Sequence, residues 1–278
     1  MWRAIYAELI KTYAKPRTYI GVIAVIIIIG LIQIGYYSNQ DNIASSIKRI
    51  IGDSISIENL SINGNYICYF VLQMLYIHLP IIIALVAGDS VSGEKASGTI
   101  RALMTKPLSR SKVFVAKLIA NQIYVLTICF TILVFGLWFS KFIFGDGDML
   151  IASDGISSFS ESELTPRFLQ AIALSYLTLS VVSSLAFMLS CFYENSIAPI
   201  VITMLTIIVF TIIGALEFEF FDNIQNLLFT KHMALWNYCF DFEPDSSELY
   251  GSIKVLTIYI LGFLSIAYYK FTNQDITQ

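Results

Sequence analysis

Groups able to do acid–base, nucleophilic or metal chemistry are scarce in this 278-residue sequence, which has two His, four Cys and 20 acidic residues. Only His78 falls near the middle of a long apolar stretch, with no Asp or Glu beside it. An ionisable group so placed normally marks a proton relay or a reaction centre; a lone His next to Pro80 instead reads as a packed kink residue. No His, Cys or carboxylate set has metal-ligand spacing, and two His cannot build a zinc protease. Ser175, Ser180, Ser183 and Ser184 cluster without a base, which suits helix packing. No G-x-x-x-x-G-K-[ST] phosphate loop occurs, so ATP is not bound in that way. No catalytic residue, metal site or cofactor of its own is expected of this chain.

The elements around these residues are dictated by composition. Apolar residues make up 56% of the chain and charged residues 13%, about half the charge of a soluble globular domain, and mean hydropathy is +0.72. Such a chain cannot build a charged surface, which excludes a disordered protein, a nucleic-acid-binding module and an ordinary cytosolic enzyme. Residues 18–40, 59–88, 118–140, 168–193 and 195–216 contain no Lys, Arg, Asp or Glu, and each suffices for the roughly 20 residues of a membrane-crossing helix. A shorter stretch, Val255–Tyr269, makes a sixth. Continuous apolar runs argue for helices rather than a membrane barrel, whose strands alternate. The expected fold is all-α, with spans at 18–38, 66–88, 112–140, 168–191, 195–216 and 253–270. No small-residue cleavage site follows Ile34, so the first span is retained rather than a signal peptide.

With the N-terminus inside, the inner segments carry 11 of the 17 Lys and Arg, and the outer segments carry 15 of the 20 acids. Basic loops face the cytoplasm, so both termini are expected on the cytoplasmic side of the inner membrane. Cys68 and Cys129 lie in spans, Cys191 at an inner helix end and Cys239 outside, which implies no disulfide framework.

The segments between the spans have their own patterns. Residues 1–16 repeat Trp2, Ile5, Tyr6, Leu9 and Tyr13 at helical spacing, the mark of an interfacial helix whose basic groups lie near lipid phosphates. Ile43, Ile47, Ile50 and Ile51 form a second stripe, on the outer side. Residues 141–167 are acidic and Ser-rich and read as an exposed loop. The outer segment 217–252 combines a stripe of Phe220, Ile224, Leu227 and Leu228 with Trp236, Tyr238, Phe240 and Phe242. It is expected to re-enter or lie on the outer leaflet, where aromatics are favoured, or else to bind a partner.

The most informative stretch is the inner loop Gly88–Lys117. Ser92 can cap a helix with Glu94 in its first turn; Ala96, Ile100, Leu103 and Met104 then make one apolar stripe, and Pro107 ends it. Ser109 can cap the following helix. A helix over 92–106 so placed rests on lipid or docks into a soluble partner, and Gly93 and Gly98, costly within a helix, favour docking.

Glu94, Gly98-Thr99, Pro107, Ser109-Arg110 and Lys117 together resemble the first cytoplasmic loop of ABC-2-type transporter permeases, most closely the six-span permeases of nitrous-oxide-reductase maturation and of multidrug or peptide export. Six spans, an amphipathic N-terminal helix and an aromatic last outer segment resemble that family over the whole length, while the loop motif covers about thirty residues. Lys95-Ala96-Ser97 and the ending Phe271-Thr272-Asn273-Gln274-Asp275-Ile276, which lacks paired arginines, depart from the family pattern.

The resemblance implies the permease subunit of an exporter moving an amphiphilic substrate such as a lipid, peptide or drug. Two copies of a separate ABC ATPase would bind ATP and Mg, and a second permease, identical or related, would complete the transporter in the bilayer. Residues 92–106 would be the coupling helix. Glu94 and Arg101 would be its polar contacts, Gly98 and Thr99 its close-approach point, and Ile100, Leu103 and Met104 its apolar face. Arg110 and Lys117 would reach lipid phosphates. The family's second and fifth spans line the substrate path, which would place Phe70, Tyr76, Thr203, Thr206 and Phe210 along it; intrahelical hydrogen bonding and core packing are the plainer roles for these residues. A different division of labour, in which ATPase-driven motion works an extracytoplasmic protein without moving cargo, also fits the sequence.

Overall fold

The computed structural model describes residues 1–39, 63–100, 109–152, 156–216, 225–241 and 246–273. The described residues are almost entirely helical. They run as α1 (Trp2–Ala14), α2 (Pro16–Ser38), α3 (Gly64–Ala87), α4 (Ser92–Ala96), α5 (Arg110–Phe144), a two-stranded antiparallel hairpin of β1 (Met149–Ala152) and β2 (Ile156–Phe159), α6 (Glu161–Phe192), α7 (Ile197–Ala215), a 3-10 helix Lys231–Phe240, and α8 (Ser246–Asn273). Six of these, α2, α3, α5, α6, α7 and α8, are long and apolar enough to cross a membrane. The chain is a multi-pass membrane protein.

The long helices start where the sequence allows. Pro16 opens α2 at a position where its missing N–H is no loss. The Asn63 side chain caps α3 by accepting from the Tyr66 amide at 3.1 Å. α6 is the hub, packing against α3, α5, α7, α8 and the 3-10 helix. Its serines permit this: Ser175, Ser180 and Ser184 each donate to the carbonyl four residues back and leave little bulk at the contacts. A π-helical stretch, Ile132–Trp138, interrupts α5, and the Phe135 carbonyl within it accepts from Gln33 of α2 at 2.8 Å. A polar side chain buried in an apolar helix thus finds its partner at irregular backbone.

Two segments between spans differ from the sequence-based expectation. Residues 141–167 are not an exposed loop. Their described part forms the end of α5, strands β1 and β2 and the first turns of α6, with Met149, Ile151 and Phe159 buried in the core. Asn63 and Asn65 hold the chain after α5 by donating to the Asp148 and Gly147 carbonyls at 2.7 and 2.8 Å. The described part of residues 217–252 is not a lipid anchor either. Trp236 and Phe240 stack edge-on against Tyr69 of α3 at 5.6 and 5.3 Å, and Phe240 meets Phe168 of α6 at 4.9 Å. The aromatics find more contact in the bundle than at an interface. The isoleucine stripe of residues 43–51, and Phe220, Ile224 and Phe242, lie outside the described residues.

Gly21 of α2 packs closely against Tyr124 of α5 and Ile82 of α3. A Cβ there would stand 2.2 Å from the Tyr124 hydroxyl and 2.8 Å from Ile82, and that buried hydroxyl has no hydrogen-bond partner. Gly21→Ala is therefore expected to destabilise by about 1–3 kcal/mol through overpacking. Tyr124→Phe alone should cost under about 1 kcal/mol, since no bond is lost, and should restore part of the loss in the double variant. Apparent unfolding midpoints of the four proteins in one detergent check this.

Candidate functional site

At the end of the bundle that carries α1, four charged side chains close a ring. α1 places Glu8 and Lys11 one turn apart on the same face, and Lys11 meets Glu8 at 2.7 Å. Lys11 also reaches Glu94 of α4, at 3.0 Å. Lys117, in the second turn of α5, pairs with Glu8 at 2.9 Å and with Glu94 at 2.8 Å. Each acid thus bridges both bases, and the ring is neutral. Its members differ in exposure: the Lys117 side chain is 1% exposed, whereas Lys11 is 41% exposed. Lys117 adds a bond to the Ser90 carbonyl at 3.1 Å.

A second set lies alongside. Asp89, just past the end of α3, pairs with Lys15 at 2.8 Å and with Arg17 at 2.6 Å. Gly93 leaves room for it, since a Cβ there would lie 2.3 Å from the Asp89 carboxylate. The same stretch is fastened from the other side by the last turn of α6. The Ser190 hydroxyl accepts from the Val91 and Ser92 amides at 2.8 and 3.1 Å, and Lys95 donates to the Cys191 carbonyl at 2.6 Å. Residues 88–96 are therefore tied to four helices: α1, α2, α5 and α6.

Charge explains the titration of these groups. Burial alone would raise the Glu94 carboxyl, but the ammonium groups of Lys117 and Lys11 outweigh it and hold it below its ordinary value. Burial would likewise lower Lys11, yet its bonds to Glu8 and Glu94 raise it above its ordinary value.

The structure redistributes the residues expected to contact a partner. Over residues 92–106 there is no single helix: α4 ends at Ala96, a turn follows at Ser97–Gly98, and helix resumes at Thr99. Gly98 has φ +70°, a left-handed conformation that glycine adopts without strain. The two glycines thus have reasons within the fold, carboxylate room and a turn, that need no docking partner. Ser92 does not cap α4 but donates to the Gly88 carbonyl. Glu94 points into the ring rather than outward. Ile100 is buried with Val113, Phe114, Phe187 and Phe271, so it is not an exposed apolar contact. Ala96, Ser97, Gly98 and Thr99 form the exposed tip. Arg101, Leu103 and Met104 lie outside the described residues. Lys117 reaches no lipid phosphate, because Glu8 and Glu94 hold it, and Arg110 donates to the Thr272 carbonyl of α8 at 2.8 Å.

Beside the ring a groove of about 1190 Å³ opens between α1, residues 93–99, the start of α5 and Ser196. Trp2, Arg3, Ala4, Ala7, Glu8 and Lys11 of α1 line it, while Tyr6 and Ile10 are exposed elsewhere on the helix.

The candidate path residues do not converge. Phe70 stacks among Tyr36, Tyr66 and Tyr69 with centroids 5.0–6.4 Å apart, and Tyr76 is half-buried against the core. Thr203 is fully buried and donates to Pro199, Thr206 donates to Ile202, and Phe210 packs on Phe229 at 5.6 Å. His78 is not packed inside: it is exposed and bonds back to the Met74 carbonyl at 2.8 Å.

Sequence reasoning missed Glu8 and Lys11 as partners of the loop, and Lys15 and Arg17 as partners of Asp89 within it. The Glu8–Lys11 spacing and a Lys between Ala116 and Leu118 were the available signals, but nothing local says that they meet.

A family model described as a protein of unknown function, DUF2705, matches residues 26–277. The uncharacterized protein YhcI of Bacillus subtilis (strain 168) is 26% identical over 198 residues, which cover 69% of this chain; the chain spans 63% of that relative's length.

Lys117→Met leaves two buried carboxylates short of a partner and should destabilise by about 3–5 kcal/mol, with part regained in Lys117→Met/Glu94→Gln. The ring also sets a pH window. Glu94, held low, stabilises fully above its ordinary 4.5, and that contribution is lost as pH falls through its lowered folded value. Lys11, held high, stabilises fully below 10.5, and its contribution is lost as pH rises through its raised value. Thermal unfolding against pH should show a plateau between these limits, and Glu94→Gln should weaken the fall on its acid side.

Proposed function

The chain belongs to the DUF2705 family, and we propose that it is the permease subunit of an ATP-driven exporter of ABC-2 type, moving an amphiphilic substrate across the inner membrane. The observation that carries this reading is the fastening of residues 88–96 to four helices at once. A segment that receives a push must pass it on without yielding, and this one is held by ion pairs to α1 and α5, the latter buried, and by hydrogen bonds to α6. A pair of separate ATPase subunits, carrying ATP and Mg, would press on the exposed tip Ala96–Thr99 and along the neighbouring groove. Closure of the ATPase pair would then drive the α1 end of the bundle as one body and shift the spans between two packings. Both termini and the groove would lie on the cytoplasmic side, in keeping with the basic excess there.

A second permease copy, or a related chain, would complete the path. α7 buries only Pro199 and Thr203, and α3 leaves Gln73 and His78 exposed within its span. Polar side chains facing lipid are costly, so a partner covering α3 and α7 supports a paired transporter. Work on an extracytoplasmic protein without cargo is the rival. The packing of Trp236 and Phe240 onto α3 and α6 leaves those two aromatics less open to such a partner.

Gentle purification from the native membrane should bring down a stoichiometric soluble ATPase carrying a phosphate loop. Ala96→Trp, at the exposed tip, should cut ATPase retention by about tenfold or more at an unchanged unfolding midpoint. Gly98 is unsuitable for this test, because its φ of +70° would strain any side chain. Reproducible absence of an ATPase from the intact chain removes the energy source and the proposal with it.

A further inference from the structure

Between the charge ring and the Asp89 pairs lies a cavity of about 20 Å³, enough for one water molecule. Only Val86 among its lining residues is apolar. Three buried side-chain atoms without a hydrogen-bond partner belong to residues that line it: Asn121 Nδ2, Glu94 Oε2 and Arg17 Nη1. Glu94 Oε2 is within ion-pair distance of Lys117, and Arg17 Nη1 within that of Asp89, but neither contact has hydrogen-bond geometry. Asn121 is 2% exposed and has no such charge partner. Leaving a buried polar atom unpaired costs about 1–3 kcal/mol; Asn121 Nδ2 has no partner of either kind, and the Glu94 and Arg17 atoms have only their ion-pair contacts.

We propose that this cavity holds one resident water, bound by Asn121, Arg17 and Glu94. The donor set selects the ligand. A water oxygen accepts from the Asn121 amide and the Arg17 guanidinium, and its hydrogens go to Glu94 Oε2 and to another of the carboxylates lining the space. The lining bases Lys11, Lys15 and Arg17 balance the acids Glu8, Asp89 and Glu94, which favours a neutral ligand, and a metal cation would face the three bases. A halide would face the Glu8, Asp89 and Glu94 carboxylates, and phosphate is too large. Asn121 stands one helical turn beyond Lys117 on α5, so the water gives α5 a second hold on residues 88–94 and joins them to α2 through Arg17. Asn121 is therefore a positioning residue, acting on Glu94 through the water. This inference does not depend on the transport reading.

The test is a crystal structure of the full chain from a lipidic phase, at a resolution that shows other buried waters, with a parallel crystal soaked in bromide. A peak within hydrogen-bond distance of Asn121 and Glu94, without anomalous signal in bromide, is the expected result. An empty cavity, or a bromide peak in it, overturns the proposal. Hydrogen exchange adds a functional readout: Asn121→Leu should speed amide exchange in residues 92–100 by about tenfold, as the loss of a buried hydrogen bond implies. Asn121→Ser, which keeps a donor, should restore it. Unchanged exchange in a folded Asn121→Leu chain would show that Asn121 positions nothing.

Discussion

A charged side chain with almost no exposed surface must be neutralised by partners fixed in place, and Lys117 is such a side chain. Much of the α1 end of the molecule follows from that constraint. One carboxylate would neutralise Lys117; two are present, from different elements, and a second base balances the second acid. The arrangement requires α1 to lie across the start of α5 with Glu8 inward, and α4 to turn Glu94 back toward the bundle. Gly93 and Gly98 then become necessary, the first to admit the Asp89 carboxylate and the second to turn the chain after α4. The amphipathic character of α1 is thus a matter of protein contact on one face, with Tyr6 and Ile10 exposed on another.

The rest of the bundle divides by how firmly its helices are held. The most apolar windows of α3, α5 and α6 are 50–56% buried, whereas those of α7 and α8 are 11% buried. The clamped residues 88–96 connect to the first group through Lys117 of α5 and Ser190 of α6. A displacement at this end would reach the well-packed helices directly, and α7 through its contacts with them and through Gly88, which lies against Ile200. α8 is an intermediate case: its span is loosely held, but its last turns join Phe114 and Phe187 through Phe271, and Thr272 accepts from Arg110.

The spans were legible because charge is excluded from them: all six fall where uncharged stretches were found, with ends extended by several residues in α5, α6 and α8. The extensions arise because Lys, Glu and Arg near helix ends can be satisfied by the protein, as Lys141 is by Asp146 and Thr165. Hydropathy cannot see such pairs. The same blindness explains the site. Periodicity placed Ile100 on a stripe for lipid or a partner, and the family resemblance sent Lys117 to lipid phosphates; a helical wheel records which residues share a face but not what lies against it. The roles of Glu94 and Lys117 rest on Glu8, 86 positions before Glu94 in the chain, and no local pattern specifies that meeting. Trp236 and Phe240 misled for a related reason: aromatic clusters serve equally at an interface and in a core.

Replacing such a ring by well-packed apolar residues would often cost nothing in stability, or even gain some, since desolvating the charges offsets most of their attraction. Stability alone does not account for it. The apolar surfaces of a membrane protein resemble the lipid around them and give helices little reason to choose one register over another. Alternating charges do discriminate, because sliding α1 by one turn would set Glu8 or Lys11 against the wrong partner and leave Lys117 with Glu94 alone. Such a joint holds two elements in a single relative position and penalises every intermediate one. That property suits a segment that must move with its neighbours as one piece, and it locates the specificity of the fold in four side chains rather than in the apolar majority of the sequence.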